Sequence, residues 1–303
     1  MASLEPSVDS GLGLDVVFPT PGQIMRGRMI NHKGFLIGGA MVLIVFLMMV
    51  FAPLIARHDP YHQDLSHRLI PPVWAQRGTW NHPFGTDAMG RDYLSRLVYG
   101  SRVSLVIGFS CAGIAMVIGT LLGLTAGYFG GRIDYIVSFI ITVRLALPAV
   151  LVAVAVVALI GSSMKVVILV LGFLIWERFA VVLRATTQQI QSMDYINAAR
   201  AAGCSVPWLM IREIMPNLFN SIVIVLTLEI GRAILLAAAL SFLGMGVQPP
   251  TPSWGLMIAQ GRNYMLFKPY LVTIPGVALF FLVLGMNLFG DGLRDVTSPE
   301  GRS

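Results

Sequence analysis

Five charged residues stand inside runs that are otherwise apolar: Arg144, Glu177, Arg178, Glu229 and Arg232. If those runs cross a bilayer, each charge costs about 2.5–3.5 kcal/mol at the bilayer centre, so each must face a partner, a wet cavity or the inside of a bundle. Glu229 and Arg232 are three residues apart, which lets them share one face of a helix and pair. Glu177 and Arg178 are adjacent, point about 100° apart and need other partners. One reading makes Glu229, Arg232, Arg144 and Glu177 the lining of a path through the membrane, meeting the charged ends of a solute. The other makes them structural ion pairs between helices or subunits. Arg184 lies near the end of its run and is expected to snorkel to the interface.

A second group of reactive side chains crowds the loop over 57–102: His58, His62, His67 and His82, with Asp59 and Asp64. His58 and His62 have the spacing of metal ligands on a helix, but Pro60 stands between them. The expectation is a polar contact loop with no metal site. Enzymatic chemistry is not expected elsewhere. The lysines are Lys33, Lys165 and Lys268, none of which follows a glycine, so the phosphate loop GxxxxGK[ST] is absent. GxSxG and HExxH are absent too. Cys111 and Cys204 lack the spacing of a metal knuckle or redox pair and read as small packing residues.

The elements that must position these groups follow from composition. The chain has 303 residues, 56% hydrophobic and 12% charged, against roughly a quarter charged in a soluble domain. The net charge of +6 does not point to nucleic acid, because the basic residues are scattered singly. Six runs, at about 34–56, 103–128, 135–160, 166–186, 217–241 and 271–290, are long enough to span a bilayer as helices. The alternation of a membrane β-barrel is missing. The fold class expected is an all-α integral membrane protein of about six transmembrane helices. Residues 1–33 read as a mobile N-terminal tail; Glu5, Asp9 and Asp15 and the lack of an apolar core argue against a signal peptide. Residues 34–102 form the first span and the long loop after it, and 103–303 a core of five spans. Gly119, Gly123 and Gly127 recur every fourth residue and predict a close helix contact. "PPTPSWG" over 249–255 predicts a stiff turn with Trp254 anchored at the interface. Lysine and arginine counts tie between the two sets of loops, so charge alone does not orient the chain.

The loop over 194–218 reads "DYINAARAAGCSVPWLMIREIMPNL". It predicts two short helices: the first capped by Asp194 or Ser192, ending at Gly203 in the left-handed conformation, and the second capped by Ser205 with Pro207 in its first turn. Pro216 is expected to reset the chain before the next span. Ala198, Ala201 and Ala202 make a smooth face against which another protein can come close, with Arg200, Arg212 and Glu213 around it.

This loop resembles the EAA loop of ABC importer permeases: Ala198, Ala199, Gly203 and "EIMP" ending at Pro216 match, and Asn197 stands where the family usually has Glu. "HPFGTDAMGRDYLSRLVYGSRVSL" (82–105), "LSFLGMGVQPPTPSWG" (240–255) and "NLFGDGLRD" (287–295) are similar to the dipeptide/oligopeptide/nickel branch. The resemblance implies that Asn197, Ala198, Ala199, Arg200, Ala201, Ala202 and Gly203 dock a separate ATPase, which binds the ATP; this chain then needs no cofactor. It implies a second permease subunit, two ATPase subunits and an extracytoplasmic binding protein, an inner-membrane location with both termini cytoplasmic, and peptides or peptide-like solutes as cargo. Nickel or another small solute is the alternative within the family. Ala237 stands where the family often has Glu, which leaves either Glu229, two turns earlier, as its substitute or a different substrate. An ion-coupled secondary transporter would not need so organised a loop.

Overall fold

The computed structural model describes residues 21–297. Among these, helices dominate, and the one β feature is an isolated bridge between Thr86 and Asp92. Helix α1 (Pro21–Asn31) leads into α2 (Lys33–Val50) and the single turn α3 (Ala52–Ile55). After the long loop come α4 (Tyr93–Phe129), α5 (Gly131–Ala146), α6 (Ala149–Ile160), α7 (Met164–Gly172) and α8 (Glu177–Gln191). The polar segment forms α9 (Asp194–Ala201) and α10 (Val206–Trp208), then a wide π-type turn over Leu209–Ile214 that runs straight into α11 (Met215–Phe242). α12 (Trp254–Gly261) and α13 (Tyr270–Thr297) complete the fold.

Five helical stretches are long and apolar enough to cross a membrane, and α5 with α6 makes a sixth, bent by 84°. The bend corrects the expectation of one straight span over about 135–160. Pro148 lacks an N–H and disfavours helical conformation in Leu147, so the helix stops and restarts there. The second span begins at Tyr93, earlier than the apolar run, because Asp92 caps it by accepting from the Ser95 N–H at 2.8 Å. Part of the expected tail, residues 21–31, is helical as α1; Glu5, Asp9 and Asp15 lie outside the described residues.

α4 is the central helix, packed along α8 and α11, while α2 lies along α13 and α12 packs between α11 and α13. The glycine face explains the α4–α8 contact. A Cβ at Gly119 would sit 2.4 Å from the Phe179 Cβ, one at Gly123 2.8 Å from the Ala180 carbonyl oxygen, and one at Gly127 2.6 Å from the Thr187 Cβ. The two backbones therefore meet with no room for a side chain. Gly123→Leu is expected to lower the thermal midpoint of the detergent-solubilised protein, with overpacking of about 1–3 kcal/mol. A midpoint equal to that of the parent would mean that this contact is not tight.

Trp254 is not an interfacial anchor. It is fully buried, with its indole N–H donating to the Leu97 carbonyl at 2.8 Å. Two stretches that the sequence singled out, 82–105 and 240–255, thus serve one junction. There Arg91 pairs with Asp87 at 2.7 Å, Arg91 and Arg96 both reach the Gln260 side-chain oxygen, and Tyr93 donates to the Leu271 carbonyl. The third stretch, 287–295, lies against α2, with Phe289 stacked on Phe35 at 5.0 Å. Arg184 forms a two-pronged pair with Asp134 of α5, one contact of 2.7 Å being Nη2 to Oδ2.

Candidate functional site

Two features carry the functional reading, and the same two helices join them. The first is the charge cluster. Arg232 Nη2 lies 3.0 Å from Glu177 Oε1, and its Nη1 lies 3.3 Å from Glu229 Oε2. Arg178 Nε lies 3.4 Å from Glu229 Oε1. The i, i+3 pairing expected of Glu229 and Arg232 is present, and the separate partners that Glu177 and Arg178 needed are each other's neighbours on α11. Both carboxylates are buried, whereas the Arg178 side chain is 58% exposed and that of Arg232 26%. The cluster therefore turns its positive ends outward.

Arg144 joins this region through backbone. Its guanidinium donates to the Leu147 carbonyl at 3.1 Å and to the Leu174 carbonyl. Leu147 sits at the α5–α6 bend and Leu174 in the break between α7 and α8, so one side chain satisfies carbonyls that two interrupted helices leave free. Irregular backbone at membrane depth requires such partners. Among the described residues, Glu177 Oε2 and Arg144 Nε are buried without a hydrogen bond, which leaves polar capacity open at the cluster. The sequence reading placed Arg144, Glu177, Glu229 and Arg232 in a path but passed over Arg178, the most exposed of the set. Its adjacency to Glu177 was the only signal, and that does not reveal which side chain faces outward.

The second feature is the polar loop. α9 ends as predicted. The Cys204 N–H donates to the Ala199 carbonyl at 3.2 Å and the Gly203 N–H to that of Arg200 at 3.0 Å, with Gly203 at φ +86°. That is the paired-bond ending in which a left-handed residue closes a helix. Asn197, Ala198, Arg200, Ala201, Ala202 and Gly203 are exposed and Ala199 half-buried, while Ile196 is buried and pins α9 to the bundle. Tyr195, Val206 and Trp208 are exposed beside the alanine face. Some details differ from expectation. Met193, not Asp194 or Ser192, occupies the cap position of α9, and Ser205 occupies that of α10 without a side-chain bond. Pro216 does not reset the chain, because it falls in the first turn of α11, just past the wide turn over 209–214. α8 enters the loop and α11 leaves it. At 1.5 Å per residue, the charge cluster stands roughly 20 Å along both helices from the loop.

The histidine loop has its own order. His58 does not pair with His62; its ring lies 4.8 Å from that of His82. The Ser66 hydroxyl and the His67 ring beside Asp64 hold that carboxyl well below the usual carboxylate range.

Comparison with known proteins fits this geometry. Residues 119–302 match the family of binding-protein-dependent transport system inner membrane components. The chain belongs to that family. Residues 20–72 match the N-terminal membrane domain of oligopeptide transport permease C, so the chain is an ABC importer permease with the additional N-terminal span. The di/tripeptide transport system permease protein DppC of Pseudomonas aeruginosa is 38% identical over 285 residues, 94% of each chain. The glutathione transport system permease protein GsiD of Pectobacterium atrosepticum is 41% identical over 222 residues, 73% of this chain and 74% of that one. A chain from inward-facing structures of the MetNI methionine ABC transporter superposes with a TM-score of 0.55, covering 67% of this chain and 97% of that chain. At 19% identity it supports the permease fold alone.

Proposed function

We propose that this permease forms one half of the path by which an ATP-driven importer carries short peptides across the inner membrane. ATP is bound and split by two separate ATPase subunits that dock at α9 and Gly203, so the chain itself holds no nucleotide. A second permease subunit completes the path, and an extracytoplasmic binding protein delivers the solute. Six spans return the chain to its starting side, and the docking loop makes that side cytoplasmic. The observation that carries this reading is the exposed alanine face of α9, closed by Gly203, on the segment joining the two charge-bearing helices. An ATPase that moves this loop moves α8 and α11 together, and with them both halves of the ion-pair cluster.

The cargo assignment follows from the names of relatives and from the cluster's outward guanidinium groups. A peptide has a carboxylate at one end, and arginine is suited to bind it. Glu229 and Glu177 hold Arg178 and Arg232 from behind. Arg178→Gln is expected to lower dipeptide uptake at least tenfold in vesicles holding the complete importer, with the ATPase still co-purifying. Unchanged uptake at equal assembly would remove these arginines from the path and leave the cluster a structural one.

A further inference from the structure

The loop between α3 and α4 holds a side-chain arrangement that the transport reading does not use. We propose that His58, His82 and Asp92 form a binding site for a divalent late transition metal that prefers imidazole, as zinc does. Each of the three offers one ligand atom within 4.8 Å of the other two. They come from distant parts of the loop and meet because the chain folds back after Pro60 and again through "HPFGTD" to the start of α4. Two imidazoles with one carboxylate, leaving positions for water, is a donor set suited to zinc and its neighbours and not to calcium or magnesium, which prefer all-oxygen shells.

The surroundings fix the ligands. Asp92 Oδ1 accepts from His82 Nδ1–H at 2.9 Å, and a metal binding at this nitrogen would displace that proton. Asp92 Oδ2 accepts from the Ser95 N–H at 2.8 Å and from the Ser95 hydroxyl at 2.7 Å, so the carboxylate cannot rotate freely. His58 Nε2 lies 2.9 Å from the Asn81 carbonyl oxygen. Because that oxygen only accepts, Nε2 must carry the proton, which leaves Nδ1 with the lone pair a metal needs. The His58 backbone is also tied to Ser95, its amide N–H donating to the hydroxyl at 3.3 Å. The three ligands line a cavity of about 320 Å³ that also presents His62, His67 and Asp64, so incoming cations meet further donors on the way. Helical spacing would pair His58 with His62, but no helix forms there. A bound ion would staple the segment after the first span to the start of the second. The site does not depend on the transport reading.

The test uses the full chain in detergent, purified without a histidine tag and dialysed against micromolar free zinc. One zinc per chain is expected by elemental mass spectrometry, with a zinc-dependent rise in the thermal midpoint. His58→Ala and His82→Ala should each weaken zinc binding at least tenfold and abolish the rise, while keeping the metal-free midpoint of the parent. Metal-free parent protein that takes up no zinc overturns the proposal. So does a His58→Ala, His82→Ala double variant that retains zinc, or loss of zinc on His67→Ala with His58→Ala unaffected, which moves the ion to the rim. A midpoint rise with calcium equal to that with zinc also overturns it.

Discussion

Arg232→Leu is expected to cost the folded protein about 3–5 kcal/mol, because it strips the shared partner from two buried carboxylates. Among the described residues, Arg232 is the one side chain ion-paired with both Glu177 and Glu229, and it does so across two helices. Glu229 would retain Arg178, whose exposed head is a weaker counter-charge, and Glu177 would lose its ion pair and keep only the more distant charge of Arg144. The measurement is the yield of monodisperse protein from membranes, with its thermal midpoint. The design includes its own control. Arg232→Leu combined with Glu177→Gln and Glu229→Gln removes the charges together, and replacing a buried ion cluster by neutral groups is often close to neutral for stability. Recovery of yield in the triple variant identifies uncompensated charge as the cause. A triple variant as poor as the single one would assign the loss to packing around the Arg232 side chain, and full yield of the single variant would show that the carboxylates do not need it.

Much of this arrangement was legible in the sequence. Apolar runs locate helices, because a bilayer leaves backbone no other partner. The Gly119, Gly123 and Gly127 repeat named its own contact, since a periodic absence of side chains has one geometric use. The α9 ending was readable because Gly203 is where a left-handed residue is needed. The pairing of Glu177 with Arg232 was not readable: they are 55 residues apart, and nothing local encodes which helices meet. The bend at Pro148 could have been read from the proline, but a continuous apolar run hid it. Trp254 misled because tryptophan serves both interfaces and cores, and the choice depends on whether a carbonyl such as that of Leu97 lies within reach. The histidine cluster was missed for a related reason. Ligand spacing was sought along a helix, whereas the fold brings His58 to His82 through turns.

Gly203→Val is expected to cut co-purification of the ATPase at least tenfold while leaving the permease's own thermal midpoint nearly unchanged. Space is not the cause, since a Cβ at this position would meet nothing within 4 Å. The cause is backbone: at φ +86° a β-branched residue is strained by about 1–3 kcal/mol, and the chain relieves this by opening the end of α9. Two bonds then go, Cys204 to Ala199 and Gly203 to Arg200, and the alanine face loses its fixed direction relative to α10. The bundle scarcely registers the change, because Ile196 is the only fully buried residue of α9. Gly203→Asn separates backbone from contact. Asparagine tolerates the left-handed region, so docking should largely return with it. Equal loss in both variants would show that the ATPase packs against Gly203 itself and has no room for a side chain. Full docking in the valine variant would place the ATPase elsewhere on the permease, and the coupling of α8 to α11 through this loop would go with it.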